Sequence, residues 1–374
     1  MKKEIIKIDE VGTSPLNLYK YTLTGICEGP SVYIQANVHG AEVQGNAAIF
    51  KLVEKLKDIE FKGKITLVPQ ANPYGSSVKM GTYTYGRFNP VTGDNWNRMY
   101  LDFLSQKEGQ GRINIDQFVL EHGHKEEADI VRLFKELISQ KIQEYRDFHS
   151  PYEISENKNL FIKLQEMAAD ADMVLDLHTG PIATRYIYTA EYLKDKCTDI
   201  NFAHYIVIPN EFGGAMDEAT FNPWVKLYSA LKEKGRILEH LFESYTVELG
   251  GEEYISMNDA EVDADNILNL LHKRGVLVNY TPNIKEVEKH FCPLSDYKMY
   301  RAPHSGLIEY HKAPGESFNK NEIIASLYRF DELEDLDKSV THIRAITRGI
   351  VINHIPTSNV KMGMDLIECF TYND

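Results

Sequence analysis

The fold is decided by residues 31–57, which read SVYIQANVHGAEVQGNAAIFKLVEKLK. The apolar run at 31–38 predicts a buried β-strand, which ends at the His-Gly pair. A helix is predicted over 41–57, because apolar side chains recur at helical spacing at Ile49, Leu52, Val53 and Leu56. A second strand at 64–71 completes a strand–helix–strand unit, which predicts a largely parallel sheet with helices on its faces. Such sheets bind ligands beyond the carboxyl ends of their strands, where His39 lies.

The same alternation continues to about residue 295. Residues 101–165 are predicted to form a helical insertion, and residues 210–221 a glycine-containing loop that would cover a site. Further strands are predicted at 173–178, 186–189, 205–208 and 245–249, followed by a helix at 259–274. We therefore assign residues 1–295 to one α/β domain.

Residues 296–374 have a different pattern, in which helical periodicity stops and short strands follow. A faint internal repeat is present, because APHSGL at 302–307 is answered by AITRGI at 345–350. Two matched halves predict a small, two-fold all-β barrel or sandwich domain. We expect this tail to pack on the first domain, either at the entrance of a site or at a subunit contact.

The half-repeats resemble those of biotinyl and lipoyl carrier domains. Lys338 lies between the halves, where such domains carry their modified lysine. Its neighbours are Asp337 and Ser339, whereas methionines usually flank a biotinylated lysine. The sequence therefore disfavours modification of Lys338.

The composition argues against several classes of partner. The 374 residues carry a formal net charge of −14, which disfavours nucleic acid and anionic membranes, because both attract positive charge. No apolar run approaches the ~18 residues that a membrane-spanning helix needs. The cysteines at 27, 197, 292 and 369 lack a paired metal or redox spacing. Isolated cysteines favour a reducing compartment, and we expect a cytoplasmic location.

His-Gly-Ala-Glu at 39–42 stands at the junction of the first strand and helix. A three-residue spacing at such a junction lets the imidazole of His39 and the carboxylate of Glu42 converge on one metal ion. A structural explanation remains open, in which His39 ends the strand and Glu42 is a solvated acid stabilised by the helix dipole.

Asp-Leu-His-Thr-Gly at 176–180 ends another apolar strand. Asp176 and His178 share one face of that strand, because strand side chains alternate. The carboxylate of Asp176 can therefore orient a metal-binding imidazole. Alternatively, His178 is a hydrogen-bonded residue at the end of a strand.

Glu248 interrupts a third apolar run, Thr-Val-Glu-Leu-Gly-Gly at 246–251. Burial of a lone carboxylate is costly unless it has a partner or a task. A general base is one such task, because it needs a fixed position and a tuned pKa. The alternative is an edge-strand glutamate that faces water.

Together these stretches resemble the succinylglutamate desuccinylase/aspartoacylase family, a branch of the zinc carboxypeptidase superfamily. The resemblance rests on HGAE at 39–42, DLHTG at 176–180 and VELGG at 247–251, in that order. Asp-Asn-Trp-Asn-Arg at 94–98 is similar to the family's D-x-N-R segment, with one extra residue before the Asn-Arg pair. The resemblance covers residues 31–251, and the repeat-bearing tail is similar to the β-domain of many members.

The resemblance implies a three-layer α/β/α sandwich around a mixed, mainly parallel twisted sheet, with zinc at the strand ends. It implies one Zn²⁺ per chain, held by His39, Glu42 and His178 with the fourth position open to water. Two histidines and one carboxylate also suit zinc better than magnesium or an iron–sulfur cluster.

The same resemblance implies the catalytic and substrate-binding residues. Glu248 would be the general base. Asn97 and Arg98 would hold a substrate carboxylate, which Arg can grip with two parallel hydrogen bonds. Arg87 matches only loosely the arginine that stabilises the oxyanion, because the loop around it is longer here.

Three functions follow from this pattern. The first is a zinc-dependent amide hydrolase that deacylates a small, carboxylate-bearing substrate such as an N-acyl amino acid. The second is a metallocarboxypeptidase that acts on short peptides, and the third is a catalytically silent binding protein that uses its tail for interactions. The intact set of ligands and Glu248 favours an enzyme. The sequence leaves open whether the chain forms a homo-oligomer.

Overall fold

The computed structural model describes residues 1–150 and 152–372. The strands of the N-terminal part are β1 (Lys2–Val11), β2 (Ser14–Thr24), β3 (Ser31–Ala36), β4 (Lys64–Val68), β5 (Lys79–Met80), β6 (Tyr83–Thr84), β7 (Met173–Gly180), β8 (Ile182–Ala183), β9 (Arg185–Ala190), β10 (His204–Ile208), β11 (Glu243–Gly251) and β12 (His290–Pro293). The C-terminal strands are β13 (Tyr297–Arg301), β14 (Gly306–Tyr310), β15 (Ser317–Phe318), β16 (Ile323–Tyr328), β17 (Val340–Arg344), β18 (Arg348–His354), β19 (Asn359–Val360) and β20 (Asp365–Tyr372).

The helices are α1 (Gln44–Leu56), α2 (Pro73–Ser77), α3 (Ile115–His122), α4 (Glu127–His149), α5 (Glu156–Ala168), α6 (Met216–Glu233) and α7 (Met257–Lys273). Short 3-10 helices span Glu191–Leu193, Cys197–Ile200 and Leu294–Asp296. No helix within residues 1–150 and 152–372 is long and apolar enough to cross a membrane.

The large sheet is mixed and mainly parallel, as predicted. Among the described residues it has nine strands, in the order β1-β2-β4-β3-β7-β11-β9-β10-β12. The central strands β4, β3, β7 and β11 run parallel to one another, and so do β9, β10 and β12. Only the β1–β2, β2–β4 and β9–β11 pairs are antiparallel within the described part of this sheet.

Helices cover both faces of this sheet and make it the middle of three layers. On one face, α1 and α7 pack over β3 and β7 through apolar side chains such as Leu52, Ile267 and Leu175. On the other face, α4, α5 and α6 bury residues such as Phe134, Phe161 and Trp224. Burial of apolar area at ~25 cal/mol per Å² drives the formation of both layers.

The sequence prediction was incomplete at two places. The hairpin of β1 and β2 was not assigned. The loop predicted at 210–221 was wrong in part, because α6 begins at Met216 and continues through Pro223. A proline inside a helix costs ~3 kcal/mol and conceals the helical pattern. Burial of Phe221, Trp224 and Leu227 against the sheet offsets that cost.

The tail forms two antiparallel sheets, in agreement with the predicted all-β structure. Their strand orders are β13-β20-β18-β15 and β17-β16-β14-β19, and they enclose a core of residues such as Ile308, Phe318 and Ile367. The short strand β8 pairs with β18 through Ala183 and Asn353, so the tail sheet contains a strand from the N-terminal part. The division of the chain at residues 295 and 296 stays a prediction. Lys338 lies in the β16–β17 connection with an exposed side chain, and its Nζ is 2.8 Å from Asp335 Oδ2.

Asp172, which precedes β7, contacts residues of three different segments of the N-terminal part. Its carboxylate accepts hydrogen bonds from the Ser31 N–H at 2.8 Å and from His240 Nε2 at 3.0 Å, and it pairs with Lys135 Nζ at 2.5 Å. Burial raises the pKa of Asp172, but these three partners outweigh burial and lower the pKa from 3.8 to about 2.

We expect Asp172→Asn to lower the free energy of unfolding at pH 7 by about 2 kcal/mol, because a depressed carboxyl pKa stabilises the fold wherever the group is ionised. This contribution is complete above about pH 4 and is lost as the pH falls through the folded-state pKa near 2. Urea unfolding at pH 7 and pH 3 measures it. The matched control is Asp170→Asn, because Asp170 is more exposed and pairs only with surface Lys64. Equal losses for both variants would contradict the prediction.

Candidate metal centre

The site is built on rows of side chains that cross neighbouring strands of the large sheet. His178 on β7 lies beside Glu248 on β11, and Glu248 lies beside Tyr186 on β9. Asp176 and Thr246, two residues earlier on β7 and β11, form a second row on the same face with Tyr188, which is two residues later on the antiparallel strand β9. This register gathers polar side chains at one end of an otherwise apolar sheet.

The turn after β3 brings His39 and Glu42 to the same place. Asn37 adopts a left-handed backbone with φ of 65°, and its Nδ2 donates to the carbonyls of His39 at 3.0 Å and Gly40 at 3.1 Å. A side chain at Gly40 would meet the Gly75 carbonyl oxygen at 2.2 Å, so only glycine fits. α1 therefore begins at Gln44 rather than at the predicted residue 41, and Glu42 lies in the turn before the helix.

The side chains of His39, Glu42 and His178 converge in the interior. His39 Nδ1 is 2.7 Å from Glu42 Oε1, and His178 Nδ1 is 2.7 Å from Glu42 Oε2. One nitrogen or oxygen atom of each residue lies within 4.8 Å of the others, and all three residues are buried. Among the described residues this is the one group of histidine, cysteine and acidic side chains with such a metal-binding arrangement.

The outer nitrogen of each imidazole has its own acceptor. His178 Nε2 is 2.8 Å from Asp176 Oδ2, and His39 Nε2 is 2.9 Å from Asn95 Oδ1. Asp176 is itself held by Gln35, whose Nε2 donates to Oδ1 at 2.8 Å. Metal-bound histidines commonly donate their second N–H to such an oxygen, which fixes the ring and leaves the other nitrogen for the metal.

The electrostatics of the group suit a cation. Burial lowers the pKa of His178, but Asp176 and Glu42 outweigh burial and raise the pKa, so positive charge is stabilised here. Burial raises the pKa of Glu42, but His39 and His178 lower it well below its usual range, so this carboxylate is ionised. Two imidazole nitrogens and one carboxylate fit a divalent metal with borderline-soft preferences.

Glu248 lies next to the three candidate ligands. It is buried, and its Oε2 has no hydrogen-bond partner among the described residues. Burial and the charge of Glu42 raise the pKa of Glu248 to about 8, although His178 and Arg87 act in the opposite direction. A buried carboxyl oxygen without a hydrogen-bond partner indicates that the group binds a ligand or accepts a proton.

The three residues within 87–98 that were predicted to bind the substrate or the oxyanion take different positions. Arg87 is half-exposed, and its Nη1 donates to Glu42 Oε1 at 3.1 Å. Asn97 is buried, with Nδ2 at 3.3 Å from His178 Nε2, and its Oδ1 accepts from the Met216 N–H at 3.3 Å. Arg98 is exposed, and its Nη1 donates to the Asn97 carbonyl at 2.6 Å. Thus Arg87 and Arg98 line the cavity with one Nη1 hydrogen bond each, whereas both ends of the Asn97 amide have contacts.

A cavity of about 430 Å³ opens over the candidate ligands. The tail supplies part of its wall through Tyr297, Asn353, Ile355, Asp365, Leu366 and Glu368, next to Leu294 of the N-terminal part. Glu368 Oε2 accepts from Tyr297 Oη at 2.6 Å and from Asn353 Nδ2 at 2.5 Å, which fixes this wall. The tail therefore packs on the first domain and lines the cavity, whereas its place at the site entrance or at a subunit contact stays a prediction.

The sequence interpretation missed several residues of the site. Asn95 belongs to the quoted DNWNR segment, so its place in that segment was the signal that could have indicated a role at the site. Tyr186 and Tyr188 were covered by the predicted strand at 186–189, where their alternate spacing placed them on one face. Asp217 and the tail wall had no local signal, because they reach the cavity only through tertiary packing.

A sheet covered by helices on both faces, with a His–Glu–His group at the ends of its parallel strands, defines a carboxypeptidase-like α/β fold. The chain belongs to the succinylglutamate desuccinylase/aspartoacylase family, a family of amide hydrolases. The family model described as the succinylglutamate desuccinylase/aspartoacylase catalytic domain matches residues 28–274.

Solved structures agree with this assignment. A succinylglutamate desuccinylase/aspartoacylase family protein from Shewanella amazonensis is 37% identical, with a TM-score of 0.92 over 99% of this chain and 98% of its own. A similar protein from Shewanella frigidimarina is also 37% identical, with a TM-score of 0.92 over 99% and 97%. The ectoine utilization protein EutE from Ruegeria pomeroyi, in a product-bound structure, is 16% identical with a TM-score of 0.64 over 99% and 94%, and it shares the fold. No curated protein matches the chain.

Proposed function

We propose that this protein is a zinc-dependent hydrolase that cleaves the amide bond of a small, carboxylate-bearing substrate of the N-acyl amino acid type. The observation that carries the proposal is the convergence of His39, Glu42 and His178 beside Glu248. These three side chains would hold the metal, and their nitrogen and oxygen atoms suit zinc better than magnesium. A zinc ion bound there would lower the pKa of a coordinated water toward ~7 and polarise a carbonyl group.

Glu248 would act as the general base. Its carboxylate accepts a proton from the attacking water and then delivers that proton to the leaving amine nitrogen. Positive charge delivered to the three ligands would lower the pKa of Glu248, because repulsion from the Glu42 carboxylate contributes to its rise. The partnerless Oε2 supports this role, since no competing hydrogen bond holds it.

Two arginines would recognise the polar ends of the substrate. Arg87 reaches the ligand group through Glu42, and its remaining N–H groups would stabilise the oxyanion of the tetrahedral intermediate. Arg98, at the cavity wall, would bind the substrate carboxylate. Asn97 would position that guanidinium through its backbone carbonyl and line the cavity beside it.

The cavity separates this proposal from its nearest alternative. A metallocarboxypeptidase for short peptides would need room for several residues beyond the cleaved bond. A cavity of about 430 Å³ with the tail in its wall favours a smaller substrate.

The four cysteines, all in the described part of the chain, are free, which supports a cytoplasmic location.

The direct test is metal content together with amide hydrolysis. Protein purified without chelator should contain about one zinc per chain, and it should hydrolyse members of a panel of N-acyl amino acids. Chelation should abolish turnover, and added zinc should restore it. A protein that holds no zinc and gains no activity on zinc addition would contradict the metal assignment. Release of C-terminal residues from peptides, with no deacylation, would favour the carboxypeptidase.

A further inference from the structure

The cavity extends past Glu248 onto the second row of the sheet. Thr246 and Glu248 lie on the same face of β11, because they are two residues apart, and both line the cavity. Tyr188 is the neighbour of Thr246 on β9 and lines it too. This inner end lies next to the N-terminal turn of α6, where Ala215 and Asp217 complete the lining. Thr246, Tyr188, Ala215 and Asp217 thus form a part of the cavity lining next to Glu248, which we call the inner end.

Asp217 has one carboxylate oxygen that lacks a hydrogen-bond partner. It is 2% exposed, and its Oδ1 has no hydrogen-bond partner among the described residues. The Thr246 side chain hydrogen-bonds the carboxyl group, and burial is the main reason why the pKa of Asp217 is raised to about 7. A buried carboxylate oxygen without a partner is costly, so a ligand that pairs with it would offset that cost.

The charged residues that line the cavity indicate the charge of that ligand. Apart from the three candidate metal ligands and Glu248, the charged residues in the described lining are Arg87, Arg98, Asp217, Glu218, Asp365 and Glu368. Glu218 accepts from the N–H groups of Gly213 at 2.8 Å and Ala215 at 2.9 Å, and Asp365 pairs with Arg301. Glu368 has Tyr297 and Asn353 as donors. Asp217 accepts from the Thr246 side chain and the Glu218 backbone N–H, but unlike these acids it has a buried oxygen, Oδ1, with no hydrogen-bond partner among the described residues.

The aromatic side chains of the cavity also suit a cation. Tyr186 and Tyr188 stand edge to face with ring centroids 5.6 Å apart, and Tyr297 lines the adjacent wall. Ring faces attract ammonium and guanidinium groups, and most strongly where water is excluded. An anionic side chain beside Asp217 would instead be repelled by its carboxylate.

We propose that Asp217 is a specificity-determining residue that binds a cationic group of the substrate, so that the preferred substrates are N-acyl derivatives of basic amino acids. The inference rests on the proposed deacylase function and names its substrate class. Arg98 would take the α-carboxylate, while the ammonium or guanidinium group of the side chain would lie beside Asp217 and Thr246.

The test uses three probes of similar size and different charge. Nα-acetylornithine carries an ammonium group, N-acetylnorleucine places a methyl group in its position, and N-acetylglutamate carries a carboxylate. Their dissociation constants are measured by calorimetry on the full-length, zinc-loaded Glu248→Gln protein, which should bind without turnover. We expect acetylornithine to bind about 10- to 100-fold more tightly than acetylnorleucine, the range for a charge-assisted hydrogen bond, and acetylglutamate to bind most weakly.

Asp217→Asn, made in the same background, keeps the shape of the side chain and removes its charge. It should weaken acetylornithine binding by about 10- to 100-fold and leave acetylnorleucine binding unchanged. Glu218→Gln is the matched control, because that neighbour already has its partners, and it should keep the preference. Equal affinity for the three probes, tighter binding of acetylglutamate, or equal losses for all probes in Asp217→Asn would overturn the inference. Turnover by the protein with Glu248 intact is measured separately, so a preference for charge without hydrolysis would overturn only the proposed function.

Discussion

Glu248→Gln should lower kcat for amide hydrolysis by about 10²–10⁴-fold while the fold and the zinc content stay unchanged. Glutamine has the same shape but cannot accept and return the proton. Because Oε2 of Glu248 has no hydrogen-bond partner in the described residues, the substitution removes no stabilising contact. It also relieves the repulsion from Glu42 that raises the pKa of Glu248. The melting temperature should therefore stay the same or rise.

Glu243→Gln on the same strand is the matched control for that experiment. Glu243 is buried like Glu248, but its carboxylate is paired with Arg274 and accepts from Tyr245 Oη at 2.7 Å. Loss of a buried ion pair is strongly destabilising, so this variant should lose stability and keep kcat in its folded fraction. Kinetics and thermal unfolding of both variants should thus give opposite patterns. A Glu248→Gln protein with undiminished kcat would remove Glu248 from the role of base.

His178→Ala should lose most of its zinc, and with it nearly all activity. The imidazole is one of three candidate ligands, and its Nδ1 faces Glu42 at the centre of the group. Removal of a partner that only orients a ligand costs ~10–100-fold in metal affinity, and removal of the ligand itself should cost more. Metal analysis after gel filtration and a competition titration with a zinc chelator measure this loss.

Two further variants serve as an intermediate case and a control for the loss of zinc. Asp176→Asn keeps the ligand but weakens the acceptor of its Nε2, so its zinc affinity should lie between those of the wild type and His178→Ala. His204→Ala removes another buried histidine, on β10, which contacts the Arg185 carbonyl and not the candidate ligands, and it should retain zinc. Full zinc occupancy and activity in His178→Ala would show that the metal is bound elsewhere or is not needed.

The sequence alone was sufficient for the features that depend on local spacing. The alternation of apolar strands and amphipathic helices determined the layered α/β fold, because each period buries one face of its own element. His39 and Glu42 were found because they are three positions apart at the end of a strand, and Asp176 and His178 because strand side chains alternate. In each case the partners are close along the chain, so that backbone geometry alone brings them together.

Only the tertiary structure decided what joins these local pieces. Glu42 and His178 are 136 residues apart, and they meet because β3 and β7 are parallel neighbours, which no local periodicity specifies. The start of α6 could not be predicted locally, because burial of its apolar face against the sheet offsets the cost of Pro223 inside the helix. This helix brings Asp217 beside Thr246. The wall of the cavity likewise required the tail to pair with β8. The physical reason is that strand register and interlayer packing minimise the free energy of the whole chain, whereas a sequence pattern reports only the preferences of each segment.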